Sequence, residues 1–457
     1  MTALVWFRQD LRLADQPALS AAAGQGPTAC LYVLDDETPG DFAIGGAQRW
    51  WLHYSLASLA ADLETRGARL ILRCGPAAAT VAKVADELGA TSIHAVRHYE
   101  PWWRKSEADL GDRLTLHAPD TLVPPEQVRT GAGQTYKIYG PFYRALTEHL
   151  PPAKPEPAPK RIEPAKSIAS DRLDDWKLLP TRPGWATGFA DWQPGEAGAH
   201  DRLEAFADHV AAYATARDLP SEEGTSRLSP HLHLGEISPR KVWHALHSAS
   251  AGKFLKELAW RDFSRSALLA QPDIATKSIR LADFPWRTGE GGDADFTAWS
   301  EGRTGYPIVD AGMRQLRATG WMHNRVRMIA ASFLVKHLLI DWRRGAAWYW
   351  DTLVDADLGN NSLNWQWIAG SGSDSAPFAR IMAPLSQSAK FDAARYIREW
   401  VPELRHLSEP DIHDPVFRPA DYPQQLIGHK EGRERALSAL AAVRDNKDAA
   451  LANARPQ

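Results

Sequence analysis

The sequence predicts two architectures in one chain: an N-terminal α/β domain on a doubly wound parallel sheet, then an all-α domain. Three observations predict this. In the first third, short apolar runs alternate with helical patterns, which is the signature of strand–helix–strand units. From Ala199 onward almost every segment carries the helical period. Between them, the stretch Pro151-Pro152-Ala153-Lys154-Pro155-Glu156-Pro157-Ala158-Pro159 interrupts both patterns. The 457 residues therefore divide into an α/β domain at 1–130, an interdomain linker at 131–198 and a helical domain at 199–457.

Taken in order, strands are expected at 3–7, 30–34, 70–74 and 93–96, where β-branched and aromatic residues cluster in apolar runs. Helices are expected between them at 47–66 and 77–88. The turn after the first strand reads Arg8-Gln9-Asp10, so the glycine fingerprint of a dinucleotide-binding turn is absent. The proline-rich stretch predicts a stiff, extended, solvated connection. Beyond it, helices are expected at 201–217, 238–249, 253–269, 306–318, 322–340 and 426–451. Gly289-Glu290-Gly291-Gly292 reads as a short insertion.

A chain of this length has room for two or three domains with ample core. Hydrophobic residues at 44% and charged residues at 24% are those of an ordinary globular protein. A net charge of −3 and a pI near 6.6 exclude a uniformly basic nucleic-acid binder but leave room for a local basic patch. Cys30 and Cys74 stand apart, outside any CxxC pair, so neither a disulfide scaffold nor a metal site is expected and a reducing compartment fits. Met1-Thr2-Ala3-Leu4-Val5 is too short and lightly apolar for a secretory leader, and the apolar run 333–340 is broken by Lys336 and His337. The expectation is a cytoplasmic monomer that neither spans nor anchors to a membrane.

The densest chemistry lies between Thr319 and Pro384. From Gly320 to Gly345 there are five basic residues (Arg325, Arg327, Lys336, Arg343, Arg344) against one acid, Asp341. The first arginines fall among positions with a buried helical period, and a buried charge needs a partner. Asp355 and Asp357, one connection later, are the candidates. The 19 tryptophans outnumber the 13 phenylalanines, and many fall among arginines and aspartates rather than in plain apolar runs. Upstream, Gly224-Thr225-Ser226-Arg227-Leu228-Ser229-Pro230 offers hydroxyls and backbone N–H groups where a helix should begin. Such a turn suits phosphate oxygens, although by itself it is more often a helix cap.

Three runs together carry a resemblance: Gly302-Arg303-Thr304-Gly305-Tyr306-Pro307-Ile308-Val309-Asp310, Trp321-Met322-His323-Asn324-Arg325 and Asn364-Trp365-Gln366-Trp367. They resemble the DNA photolyase/cryptochrome flavoproteins, and among these the bacterial photolyases for cyclobutane pyrimidine dimers. The likeness runs from Val5-Trp6-Phe7-Arg8 to His429-Lys430-Glu431. It implies that the helical domain binds FAD. The turn Thr225, Ser226, Arg227, Leu228 and Ser229 would cradle the pyrophosphate. Tyr213, Phe254, Arg261, Asn324, Arg327, Asp355, Ala356, Asp357 and Asn361 would line the cofactor, with Arg327 and Asp355 as an ion pair. Phe254 stands where a Trp is often found. Asn361 would lie beside flavin N5, where a neutral amide can hydrogen-bond in either protonation state.

The same resemblance implies that Trp365, Trp342 and Trp286 form an electron path from flavin to surface. Trp260 and Trp367 would flank a flipped-out dimer, Glu257 would bond the thymine carbonyl region, and Asn324 would touch flavin and lesion. Arg217 and Arg325 would hold flanking phosphates of UV-damaged DNA. Met328 replaces the second histidine usual in enzymes for the (6-4) photoproduct, which fits dimer splitting with no net proton transfer. Glu100 matches an acid that binds a folate antenna, while Tyr99 stands where some relatives have an amide. A folate such as methenyltetrahydrofolate, a deazaflavin, a second flavin or an empty pocket all remain open. The implied activity is light-driven repair by electron transfer from photoexcited FADH−. The alternatives are a cryptochrome-type blue-light photoreceptor and a (6-4) photolyase.

Overall fold

The structure is a computed structural model that describes residues 2–180, 185–280, 284–375 and 378–453. The chain packs as two compact units. The first comprises Met1–Ala214, Thr225–Asp273 and Val354–Asn360; the second comprises Thr215–Gly224, Ile274–Leu353 and Asn361–Gln457. The units therefore do not follow the linear division at 130 and 198, because the chain passes between them more than once.

The first unit is built on β1 (Thr2–Phe7), β2 (Thr28–Leu34), β3 (Leu70–Cys74), β4 (Ala90–Val96) and β5 (Leu114–His117). All neighbours pair in parallel, in the order β3-β2-β1-β4-β5. The order reverses at β1, which makes the sheet doubly wound. Every residue of β2 is buried, as a strand covered on both faces requires. Four strands and the helices Gly46–Thr65 and Ala77–Leu88 fall where the apolar pattern put them. β5 was not expected: Leu114-Thr115-Leu116-His117 is only four residues long and partly exposed, too short to show a period.

The proline-rich linker is not a free tether. Asp15 N–H donates to Glu156 O, Ile162 N–H to Arg66 O, Thr28 N–H to Glu163 O and Asp171 N–H to Leu72 O, so the chain runs along the first unit with its backbone bonded. It also contains the helix Tyr139–Thr147. Residues 181–184 of the expected linker lie outside the described residues. The helices Pro239–Leu246 and Gly252–Ala270 pack in this same unit, whereas the expected helix at 201–217 is split into Glu196–Ala207 and Tyr213–Ala216.

In the second unit, Pro307–Thr319 and His429–Asn453 are helical as expected, and Gly289 is the N-cap of the helix Glu290–Ser300. The single helix expected at 322–340 is replaced by three features. His323 is extended and caps the helix Asn324–Ser332, its Nδ1 accepting the Arg325 N–H at 3.2 Å. A π-helical turn then spans Phe333–His337, and Leu339 adopts φ +53°. Asp341 caps a new helix, Trp342–Thr352, through the Arg343 N–H at 3.0 Å. The apolar period continues through the π turn, which hid the break. Among the described residues, no helix is long and apolar enough to cross a membrane.

Candidate functional site

In the first unit, the helix Gly252–Ala270 positions most of the expected residues. Its buried face carries Phe254, Arg261, Asp262 and Arg265. Phe254 meets Tyr213 edge to face, with ring centroids 5.2 Å apart, and both pack on Phe206. Arg261 donates to the carbonyls of Asp120 and Leu232, tying the loop after β5 to the short helix Ser229–His233. Asp262 Oδ2 accepts the N–H groups of Leu122 and Val123 at 2.9 and 3.1 Å. Burial nonetheless pushes its carboxyl up to about 7, against those bonds and Arg261.

Arg265, which the sequence reading missed, holds two buried acids. Its Nη1 lies 2.8 Å from Glu100 Oε1 and its Nη2 pairs with Asp357 Oδ2. Burial pushes this guanidinium down, but Asp357 and Glu100 outweigh burial and hold it above its ordinary value. Burial likewise raises the Asp357 carboxyl, and Arg265, His233 and Arg261 outweigh it and hold the group below the usual range. The other Asp357 oxygen caps the Asn360 N–H at 2.8 Å and so starts the helix Leu358–Ala369. Glu100 was expected at an antenna. It is 1% exposed, and its second oxygen accepts the Tyr99 N–H at 3.1 Å, so both oxygens are engaged inside the protein. Glu100 thus anchors Arg265. The signal was the spacing Arg261–Arg265, which puts a second arginine on the buried face one turn on.

The hydroxyl turn lies at the start of Ser229–His233. Arg227 takes φ +50° and Leu228 is buried, while Thr225 and Ser226 remain partly open. Ser226 Oγ accepts the Leu228 N–H at 3.3 Å, and Ser229 Oγ donates to Asp355 Oδ2 at 2.6 Å. Just before the turn, a side chain at Gly224 would strike the backbone of Ala216, so only glycine lets the two segments approach this closely. Hydroxyls and backbone N–H groups are the donors a diphosphate needs, and the nearby Asp355 carboxylate is an acceptor suited to a ribose hydroxyl. Asp355, Ala356 and Asp357 follow one another here, with Ala356 buried.

On the same helix, Glu257 is half-buried, with Lys253 Nζ 3.8 Å away. Trp260, one turn later, is half-exposed. Tyr139 stacks flat against its indole at a centroid distance of 3.6 Å, another residue the sequence reading did not single out.

In the second unit, Asn324 is the exposed first residue of its helix and Met328 is half-buried one turn on. Arg327 Nε donates to Met322 O at 2.7 Å. Arg325, expected on the phosphate face, pairs with Asp218 at 2.6 Å and lies over the Phe391 ring. Arg217, its expected companion, is half-buried in the same stretch. His323 is buried, and burial followed by Arg327 and Arg325 pushes its imidazole down to about 4.

The three expected wire residues follow one frame. Trp342 is fully buried at the first position of its helix. Gly345 lies one turn later, where any side chain would collide with Trp365 Cη2. Trp365 thus packs on the helix face that Trp342 begins. Asn361 Nδ2 donates to Ala346 O at 3.1 Å and joins the same helix. At the other end, Arg287 N–H donates to Leu339 O at 2.8 Å and its Nη1 to Leu338 O at 3.0 Å, which holds the half-exposed Trp286 beside the start of that helix. Trp367 is half-exposed, with the Arg380 guanidinium 5.9 Å from its ring centroid.

Residues 3–160 match the family model described as DNA photolyase, and residues 254–442 match the FAD binding domain of DNA photolyase. The chain belongs to the DNA photolyase/cryptochrome family. It is 44% identical to the deoxyribodipyrimidine photo-lyase of Agrobacterium fabrum, over 96% of this chain and 98% of that one. It is 35% identical to cryptochrome-1 of Arabidopsis thaliana, over 96% of this chain and 70% of the other. The crystal structure of a bacterial class III photolyase from Agrobacterium tumefaciens superposes with a TM-score of 0.91 at 44% identity, covering 97% of this chain and 98% of that one.

Proposed function

We propose that this protein uses blue light to split cyclobutane pyrimidine dimers in UV-damaged DNA. Bound FAD, in its reduced form, supplies the electron that light drives to the lesion and that returns after the ring opens. The protein's part is to bind, orient and exclude water. The turn Thr225–Ser229 would hold the diphosphate, and Asp357, kept ionised by Arg265, would present a fixed charge to the cofactor. Asn361, held by Ala346 O, would face the ring without adding charge. Trp365, Trp342 and Trp286 would carry the electron that reduces the resting cofactor. Trp260 and Trp367 would stack on the extruded bases, and Glu257 would bond the carbonyl where negative charge develops.

The observation that carries the choice of lesion is the pair Asn324 and Met328, one turn apart on the helix Asn324–Ser332, neither of which can shuttle a proton as a histidine pair would. A dimer needs no proton shuttle; a (6-4) photoproduct does. The test presents chemically reduced holoenzyme with oligonucleotides carrying each lesion under blue light. Repair of the dimer alone is expected. Repair of the (6-4) lesion alone would overturn the reading, and repair of neither would favour a signalling role like that of the cryptochromes.

A further inference from the structure

Trp260 is held on one side by a residue that none of the preceding roles uses. Tyr139, the first residue of Tyr139–Thr147, lies with its ring plane 6° from that of the indole and the centroids 3.6 Å apart. The phenol ring therefore lies flat against one face of Trp260. Phe263 meets the same indole edge-on at 5.6 Å, so the ring is gripped on a face and an edge. Tyr139 is itself fixed. Its hydroxyl donates to Lys256 O at 2.6 Å, one turn before Trp260 on the same helix. Its ring packs against Phe263 at 5.8 Å and lies alongside Tyr143 at 5.8 Å, and Lys256 Nζ stands 5.5 Å from the Tyr143 ring centroid. Burial, followed by the neighbouring Glu257 carboxylate, holds the Tyr139 phenol above its usual pKa, so it keeps the hydroxyl proton it donates.

We infer that Tyr139 is a positioning residue for lesion recognition: it fixes the plane of Trp260 and closes one indole face, so that an extruded pyrimidine dimer stacks only on the other. This rests on the lesion role of Trp260 proposed above. A half-exposed indole with no backing would sample several rotamers and lose that freedom on binding, and a stacked partner removes the loss beforehand. The hydroxyl anchor and the ring contact have separable effects, since a phenylalanine keeps the stack and drops only the bond to Lys256.

The experiment measures affinity for dimer-containing and undamaged oligonucleotides with FAD-loaded Tyr139→Ala, Tyr139→Phe, Trp260→Ala and the double variant Tyr139→Ala/Trp260→Ala. Tyr139→Ala is expected to weaken dimer binding roughly three- to tenfold, the range set by ordering one side chain. Its FAD content and its affinity for undamaged DNA should match wild type, and Tyr139→Phe should restore most of the lost discrimination. In the Trp260→Ala background, Tyr139→Ala should have no further effect, because there is no indole left to position. An equal loss in both backgrounds would overturn the inference, as would tighter dimer binding by Tyr139→Ala, which would make the ring an obstruction. If Trp260→Ala abolishes discrimination while Tyr139→Ala leaves it intact, only this inference falls. If Trp260→Ala leaves discrimination intact, the lesion reading falls and takes the inference with it.

Discussion

The two compact units differ in what holds their buried cations. In the first, cations and anions are buried together as pairs. Arg8 meets Glu107, Arg12 meets Asp120, and Arg265 bridges Glu100 and Asp357. In the second, burial pushes a lysine as well as histidines toward their neutral forms, as it does His98 and His233 in the first. Burial pushes His337 down to about 3, assisted by His429, and pushes Lys336 down to about 7, with Arg380 adding to it. Lys336 Nζ is bonded to a backbone carbonyl, Arg380 O, at 2.7 Å. The difference teaches where each unit is fragile. A paired interior fails when one partner is removed, because the other is left charged and dry. A neutralised interior fails when protons are forced onto it.

The largest expected effect breaks the first pattern. Arg265→Met leaves Glu100 and Asp357 buried without their cation, and should destabilise the protein by roughly 3–5 kcal/mol. Urea denaturation followed by far-UV circular dichroism measures it. A loss no larger than that of an exposed arginine would show that the bridge is incidental. FAD retention should fall in the same variant, since Asp357 would lose the charge that keeps it ionised.

Acid probes the second pattern. His337 and His323 have folded-state values of about 3 and 4, each lowered from 6.5 mainly by burial. The unfolded chain takes up these protons near pH 6.5, and the folded chain does so only well below. Stability should therefore be flat above that point and fall as pH drops toward 4, each group adding a slope of about 1.4 kcal/mol per pH unit. His337→Gln should make the fall between pH 6.5 and 5 shallower. An unchanged slope in that window would contradict the neutral assignment.

A smaller effect concerns the phosphate face. Arg325 was expected to meet DNA directly, but its pairing with Asp218 leaves less charge to offer. Arg325→Ala should lower the slope of log affinity against log salt by less than one, where a free phosphate contact would remove about one. A drop of a full unit would show that DNA takes Arg325 from Asp218.

What the sequence made legible was local. The strand at 70–74 and the helix at 77–88 emerge with their expected bounds because each carries a period of its own. The break near His337 does not show, because Phe333, Leu334, Val335 and Leu338 continue an apolar stripe through the π turn and Leu339 gives no sign of its positive φ. At the site, residue types in long motifs marked Asn361, Trp342 and Trp365, and their shared packing on the helix Trp342–Thr352 followed. The partners of Glu100 and Arg325 were hidden, since Arg265 and Asp218 stand 165 and 107 positions away in the chain and no local pattern joins them. Tyr139 was hidden in the same way, in a stretch read as linker.

In the function proposed above, Trp365, Trp342 and Trp286 of the second unit would carry light-driven reduction separately from repair. Trp342 is fully buried, and its Nε1 has no hydrogen-bond partner among the described residues, so an oxidised Trp342 would keep its proton and pass the charge on to the half-exposed Trp286. The direct measurement compares wild type with Trp342→Phe: the rate at which light reduces the oxidised FAD, and the dimer repair yield after chemical reduction. Photoreduction should fall by more than an order of magnitude while the repair yield stays at the wild-type level. Equal photoreduction in the two proteins, or a repair yield that falls in step with it, would rule out this role for Trp342.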